Sequence, residues 1–125
     1  MAKQVSKIVW IGRVLSGLAC LVFLFSASLK LIGGQQVAEG IAHLGIPESA
    51  VMPLAFVELA CVTLYVIPFT AVLGAVLLAA YLGGAICAHM RVGDQFVVQI
   101  GLGVALWLGL WLREPRLRPL LPLRA

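Results

Sequence analysis

The sequence predicts an all-helical integral membrane protein: a bundle of four spanning helices with a short interfacial helix between the first and second. Three observations predict it. Of 125 residues, 62% are hydrophobic and only 11% are charged, whereas an average soluble domain is roughly half apolar and about a quarter charged. A chain this small buries only about two-thirds of its surface in water, so an aqueous fold has nowhere to hide the remainder. Its mean hydropathy of +1.09 also excludes disorder. Finally, the apolar residues fall into four runs separated by turn residues, and the charges gather at the two ends.

The first run, residues 8–32, carries Arg13 and Lys30 near its ends and closes at Gly33-Gly34. It is too long for the apolar core of a cleaved leader, about 7–15 residues, and reads as a retained helix. Residues 50–67 form the second run, interrupted only by Glu58, with Ser49 as its expected N-cap and Pro53 in its first turn. The third, residues 70–88, has no charge; Pro68 sets it off and Thr70 is its expected N-cap, so the second and third runs should form an antiparallel hairpin. Gly93-Asp94 precedes the fourth run, residues 96–112, and a basic, proline-rich tail, 113–125, follows it. Each run suits a span of about 17–25 residues. The runs lack alternation, which argues against strands. Between the first two runs, Val37, Ile41 and Leu44 recur at helical spacing ahead of Gly45 and Pro47, predicting a short amphipathic helix at the interface. The whole chain, 1–125, is expected to be one domain.

Charge sets the expected orientation. Lys3, Lys7, Arg13, Arg113, Arg116, Arg118 and Arg124 lie on the side of the termini, against Lys30 and Arg91 on the other. By the positive-inside rule both termini face the cytoplasm, and Trp10, Tyr65 and Trp111 form an aromatic belt there. Despite a net charge of +4, no interleaving of basic and aromatic residues points to nucleic acid. The cysteines, Cys20, Cys61 and Cys87, sit inside apolar runs and read as packing residues. In the third run, Ala75, Ala79 and Gly83 form one column of small residues and Ala80, Gly84 and Ala88 another, expected to pack within the bundle.

Glu58 is the residue that calls for chemistry. A charged carboxylate near mid-membrane costs about 2.5 kcal/mol or more unless it faces the interior and finds a partner. It reads equally as a proton-handling or ligand-binding carboxyl and as a clasp between helices. Counting about 1.5 Å per residue from the outer surface puts Lys30 and Tyr81 in the same half of the bundle, so these three are the expected ligand-binding centre. His89 and Arg91, directly after the third run, are expected to cap it and to line a polar mouth with His43, Glu39, Glu48 and Asp94. Gln99 is placed to hydrogen-bond across helices. No His-x-x-x-His or Cys-x-x-Cys spacing suggests a metal, and no phosphate-binding, dinucleotide or nucleophile-elbow motif occurs. The basic tail suits topology setting better than the holding of anionic headgroups.

Five stretches then resemble a known family: Phe25-Ser26-Ala27-Ser28-Leu29-Lys30-Leu31, His43-Leu44-Gly45-Ile46-Pro47, Glu58-Leu59, Tyr81-Leu82-Gly83-Gly84-Ala85 and Leu106-Trp107-Leu108-Gly109-Leu110-Trp111-Leu112-Arg113. Together they make nearly the whole chain similar to the DoxX-like membrane proteins, in particular the short bacterial group, with a departure at Ala55, where the resemblance implies a glycine. The resemblance implies four spans in a bacterial inner membrane and links Lys30 to Glu58. It implies little about activity: the family takes its name from a relative in a thiosulfate:quinone oxidoreductase, and others serve beside redox enzymes or as assembly factors. The leading expectation is an accessory protein, not an enzyme in itself, that holds a small lipophilic ligand such as a quinone or lipid. The alternatives are a membrane subunit of a quinone-linked oxidoreductase with a soluble redox partner, or a small proton-coupled transporter working as a homo-oligomer. No cofactor is expected within the chain itself.

Overall fold

A computed structural model of the protein describes residues 6–124. Lys3, counted above among the terminal charges, and Ala125 of the tail lie outside the described residues. All regular structure among the described residues is helical: α1 (Lys7–Ile32), α2 (Gln35–His43), α3 (Val51–Val66), α4 (Ala71–Arg91) and α5 (Val97–Arg113). Three helical segments are long and apolar enough to cross a membrane: Lys7–Ile32, Glu48–Val66 and Pro68–Arg91. Val97–Arg113 is a shorter apolar helix.

α1 and α4 each pack against both α3 and α5, so the four long helices close a ring. Phe23 of α1 and Tyr81 of α4 meet across its diagonal, edge to face, with centroids 6.4 Å apart. The inner stripe of α1 is built of small residues, Gly12, Ser16, Ala19, Cys20 and Ala27, with Phe23 among them. Its larger side chains, among them Trp10, Leu18, Leu21 and Phe25, face outward. This is the pattern expected where lipid is as apolar as the core and helices associate by close van der Waals fit.

Two glycine contacts set the closest approaches. A Cβ on Gly12 would lie 2.6 Å from the Gly109 carbonyl oxygen, so α1 and α5 touch backbone to backbone. A Cβ on Gly74 would lie 2.3 Å from the Tyr65 nitrogen, which locks α4 onto α3. Of the two small-residue columns expected to do this work, only the start of the first does. Ala75 is fully buried, but Gly83 and Gly84 have open space around them, and Ala80 is exposed. The sequence pattern of α4 contains small residues on two faces, and only the packing shows that Gly74 faces the partner.

Capping differs from expectation in detail. α1 begins as an N-capped helix, with Ser6 Oγ accepting from the Val9 amide at 3.3 Å. Ser49 instead sits inside a 3₁₀ turn, Glu48–Ala50, and Ala50 takes the N-cap position of α3 with no side-chain bond. Thr70 stands at the N-cap of α4, but its hydroxyl reaches backward and donates to the Leu64 carbonyl at 2.7 Å. It secures the last turn of α3 rather than the first of α4. The helix expected to stop at residue 88 runs to Arg91, so His89 and Arg91 lie within its last turn and not beyond it. Arg91 caps a different helix: its guanidinium donates to the carbonyl of Leu44, the C-cap residue of α2. α2 itself forms between Gly34 and Gly45, both at positive φ, and its half-buried residues include Val37 and Ile41.

Two further expectations are corrected. Tyr65 is wholly buried, so it belongs to the core and not to an aromatic belt; its hydroxyl has buried partners, described below. Cys20 and Cys61 are buried as packing residues, but Cys87 is exposed on the outward face of α4. The tail turns back on itself through Pro115–Leu117 and buries Leu117. Arg118 donates to the carbonyls of Trp111 and Leu112, at 3.3 and 2.7 Å, and so satisfies the open end of α5.

Candidate functional site

The polar centre of the ring is a triad from three helices. Lys30 enters from the last turn of α1, Glu58 from the middle of α3 and Tyr81 from the middle of α4. Lys30 Nζ lies 3.0 Å from Glu58 Oε1, and the Tyr81 hydroxyl donates to the same oxygen at 3.1 Å. Lys30 also donates to Ser26 Oγ, one turn back on its own helix, at 2.8 Å. The Glu58 side chain is 1% exposed, and that of Lys30 is 13% exposed. A lone carboxylate there would be prohibitive; a cation and a hydroxyl on one oxygen offset its desolvation.

The register of the α3–α4 hairpin brings this about. Glu58 lies seven residues before Tyr65, and Tyr81 lies seven residues after Gly74. Seven residues are about two helical turns, or roughly 10 Å. The backbone contact of Gly74 with Tyr65 therefore delivers Tyr81 to the height of Glu58 on the antiparallel partner, on the same face.

A second polar cluster sits deeper toward the termini, and sequence reading missed it. The Tyr65 hydroxyl donates to the Leu106 carbonyl at 2.5 Å and pairs with Ser16 Oγ at 2.9 Å. Arg113 Nε donates to Ser16 Oγ at 3.1 Å, and its guanidinium lies 5.0 Å from the centroid of the Tyr65 ring. The signal was present in outline. Tyr65 repeats Glu58 at two turns on α3, which puts both on the inner face, whereas counting from the membrane surface alone assigned it to a belt.

The outer end of the bundle holds the remaining candidates. His89 Nδ1 lies 2.7 Å from the Ala85 carbonyl; a carbonyl only accepts, so this nitrogen carries the proton. Its Nε2 faces Gln99 Nε2 at 3.4 Å, a link from α4 to α5. Gln99 Oε1 is buried with no hydrogen-bond partner among the described residues. His43 Nε2 meets Asp94 Oδ2 at 3.0 Å, tying α2 to the turn before α5. The structure thus brings Lys30, Glu58 and Tyr81 into direct contact, while the bonds of His89 and Arg91 run to Ala85, Gln99 and Leu44 instead. Two cavities, of about 620 and 410 Å³, open at the two ends of the molecule, and neither is lined by a member of the triad. Among the described residues, no group of three His, Cys, Asp or Glu side chains is arranged to hold a metal.

Described residues that are helical throughout their regular structure, with three span-length apolar helices ordered around a largely buried ion pair, make a membrane protein. The model of the DoxX-like family matches residues 14–113, and the chain belongs to that family. That stretch contains Lys30, Glu58 and Tyr81, and reaches Arg113. No curated protein and no solved structure matches the chain.

Proposed function

We propose that this protein is a four-span accessory protein of a bacterial inner membrane, with both termini cytoplasmic, that binds the polar end of a small lipophilic ligand at Lys30, Glu58 and Tyr81. The observation that carries the reading is the sharing of Glu58 Oε1 by an ammonium and a phenol, at 3.0 and 3.1 Å. Lys30 has one ammonium proton left beyond those given to Ser26 and Glu58, which suits a ligand that presents a carbonyl oxygen, as a quinone does, and the Tyr81 oxygen, its one proton given to Glu58, can accept from a ligand hydroxyl. Lys30 and Tyr81 are both only partly buried, so the ligand reaches them from the lipid side between helices. Glu58 then acts as the counter-charge that holds both groups in place. His89 and Arg91, two to three turns further along α4, lie above this entry and tie α4 to α5 and to α2.

Native mass spectrometry of the detergent-purified protein tests this. Wild type should retain a lipophilic molecule that Tyr81→Phe, Lys30→Ala and Glu58→Gln lose. Added short-chain benzoquinone should bind wild type and fail to bind Tyr81→Phe, which keeps the ion pair intact. Equal retention by all four folded proteins would leave the triad as a clasp between helices and refute the ligand site.

A further inference from the structure

The other end of the molecule carries a site of different chemistry. A cavity of about 620 Å³ opens between the start of α1, the α3–α4 connection and the end of α5. Its size falls in the range of small-molecule sites, about 300–1,000 Å³. Its wall is apolar, with Phe69, Val72, Leu117 and Leu120, and its polar lining includes Arg13, Arg113 and Arg116 with a single carboxylate, Glu114.

These charges are not equivalent. Arg116 grips Glu114 with two hydrogen bonds, at 2.9 and 3.1 Å, so the one acid in the lining is already occupied. Arg113 donates to Ser16 and stacks on Tyr65, and Arg13 stacks on Trp10 at 5.0 Å. Among the described residues neither Arg13 nor Arg113 is paired with a carboxylate. Counting three arginines against one glutamate, the lining carries a net charge of +2. Beside it Phe69 is 98% exposed and Leu120 is 54% exposed, an apolar lip where α3 turns into α4 and the tail follows α5. Guanidinium groups match the geometry of a phosphate, and the lip matches acyl chains.

The geometry points to a binding site for one anionic phospholipid, its phosphate held by Arg13 and Arg113 and its chains lying along Phe69 and Val72. Arg13 and Lys30 are seventeen residues apart on α1, about 25 Å, so this site is independent of the triad. It also gives a role to the tail: Leu117, buried by the folded-back turn, forms the floor.

The test uses the full chain in detergent, titrated with acyl-matched phosphatidylglycerol or phosphatidylcholine and read by native mass spectrometry. Wild type should retain the anionic lipid at least about tenfold more strongly than the zwitterionic one. Arg13→Gln with Arg116→Gln removes two cations and unmasks Glu114, which should weaken phosphatidylglycerol retention about 30-fold. Both side chains are at the surface, and a thermal melt will show the double variant folded. Lys7→Gln with Arg124→Gln removes two exposed cations from the same end but outside the cavity, and should leave retention unchanged. Equal retention of the two lipids by wild type would overturn the proposal, as would equal losses in the two double variants. Displacement of phosphatidylglycerol by millimolar inorganic phosphate would reassign the cavity to a free anion and overturn the lipid.

Discussion

Gly74→Ala should unfold the site from a distance. The added methyl would lie 2.3 Å from the Tyr65 nitrogen, 2.5 Å from its Cα and 2.8 Å from the Leu64 carbonyl carbon. Carbon atoms in comfortable contact sit about 3.5–4.0 Å apart, so each approach is short by roughly 1 Å. All three atoms are backbone, and no side chain can turn aside. α4 must therefore retreat from α3 by about 1 Å along the whole contact. Overpacking of this kind costs about 1–3 kcal/mol, and the better helix propensity of alanine returns up to about 1 kcal/mol. A net loss of about 1–2 kcal/mol is expected. Gly84→Ala is the matched control, on the same helix, with no atom within 4 Å of the new methyl; it should be neutral or slightly stabilising. Unfolding of both variants in detergent, followed by the circular dichroism of the helices against added dodecyl sulfate, reads the difference. Because Tyr81 is positioned by the same contact, its hydrogen bond to Glu58 should lengthen in Gly74→Ala, which the Tyr81 ring resonances would report. Equal stability of the two alanine variants would refute the register argument, and with it the account of how Tyr81 reaches Glu58.

Three further outcomes are expected. Lys30→Met or Glu58→Gln alone each strands one charged partner of a largely buried pair and should cost about 2 kcal/mol, less than for a fully buried pair because Lys30 retains a route to the surface. The double variant should cost clearly less than the sum, and additive losses in the same unfolding assay would show that the two do not interact. Tyr65→Phe removes the side-chain donor to the Leu106 carbonyl and the partner of Ser16 and should destabilise by about 1 kcal/mol or more, whereas Tyr81→Phe, at a half-buried place, leaves Glu58 Oε1 paired with Lys30 and should cost less. At the tail, hydrogen bonds from Arg116 hold the Glu114 carboxyl below its ordinary value of 4.5. A lowered pKa in the folded chain means the contact stabilises the turn above about pH 4.5 and is lost as pH falls through the folded value. Trp111, whose indole N–H donates to Leu121 in that turn, should show an acid-induced fluorescence change that Glu114→Gln shows already at neutral pH.

Composition and period alone determine that this chain is helical and lies in a membrane. Lipid solvates no free backbone group, so long apolar runs must close their hydrogen bonds within themselves, and glycine and proline punctuate them wherever they fall. The involvement of Glu58 was legible for the same reason: a carboxyl in such a run must find a partner. Lys30 and Tyr81 could be reached by counting depth, because helical rise is constant. Rotation about each helix axis is not encoded so plainly. In water the polar face tells which way a helix turns, but here lipid and core are equally apolar, and α4 shows small residues on both sides. That is why the Ala80 and Gly84 column looked like a contact and Gly74 did not, why Tyr65 was assigned to the surface, and why the cluster of Ser16, Tyr65 and Arg113 went unseen. Those choices are made by the backbone contacts at Gly12, Gly74 and Gly109, which exist only once the four helices are packed.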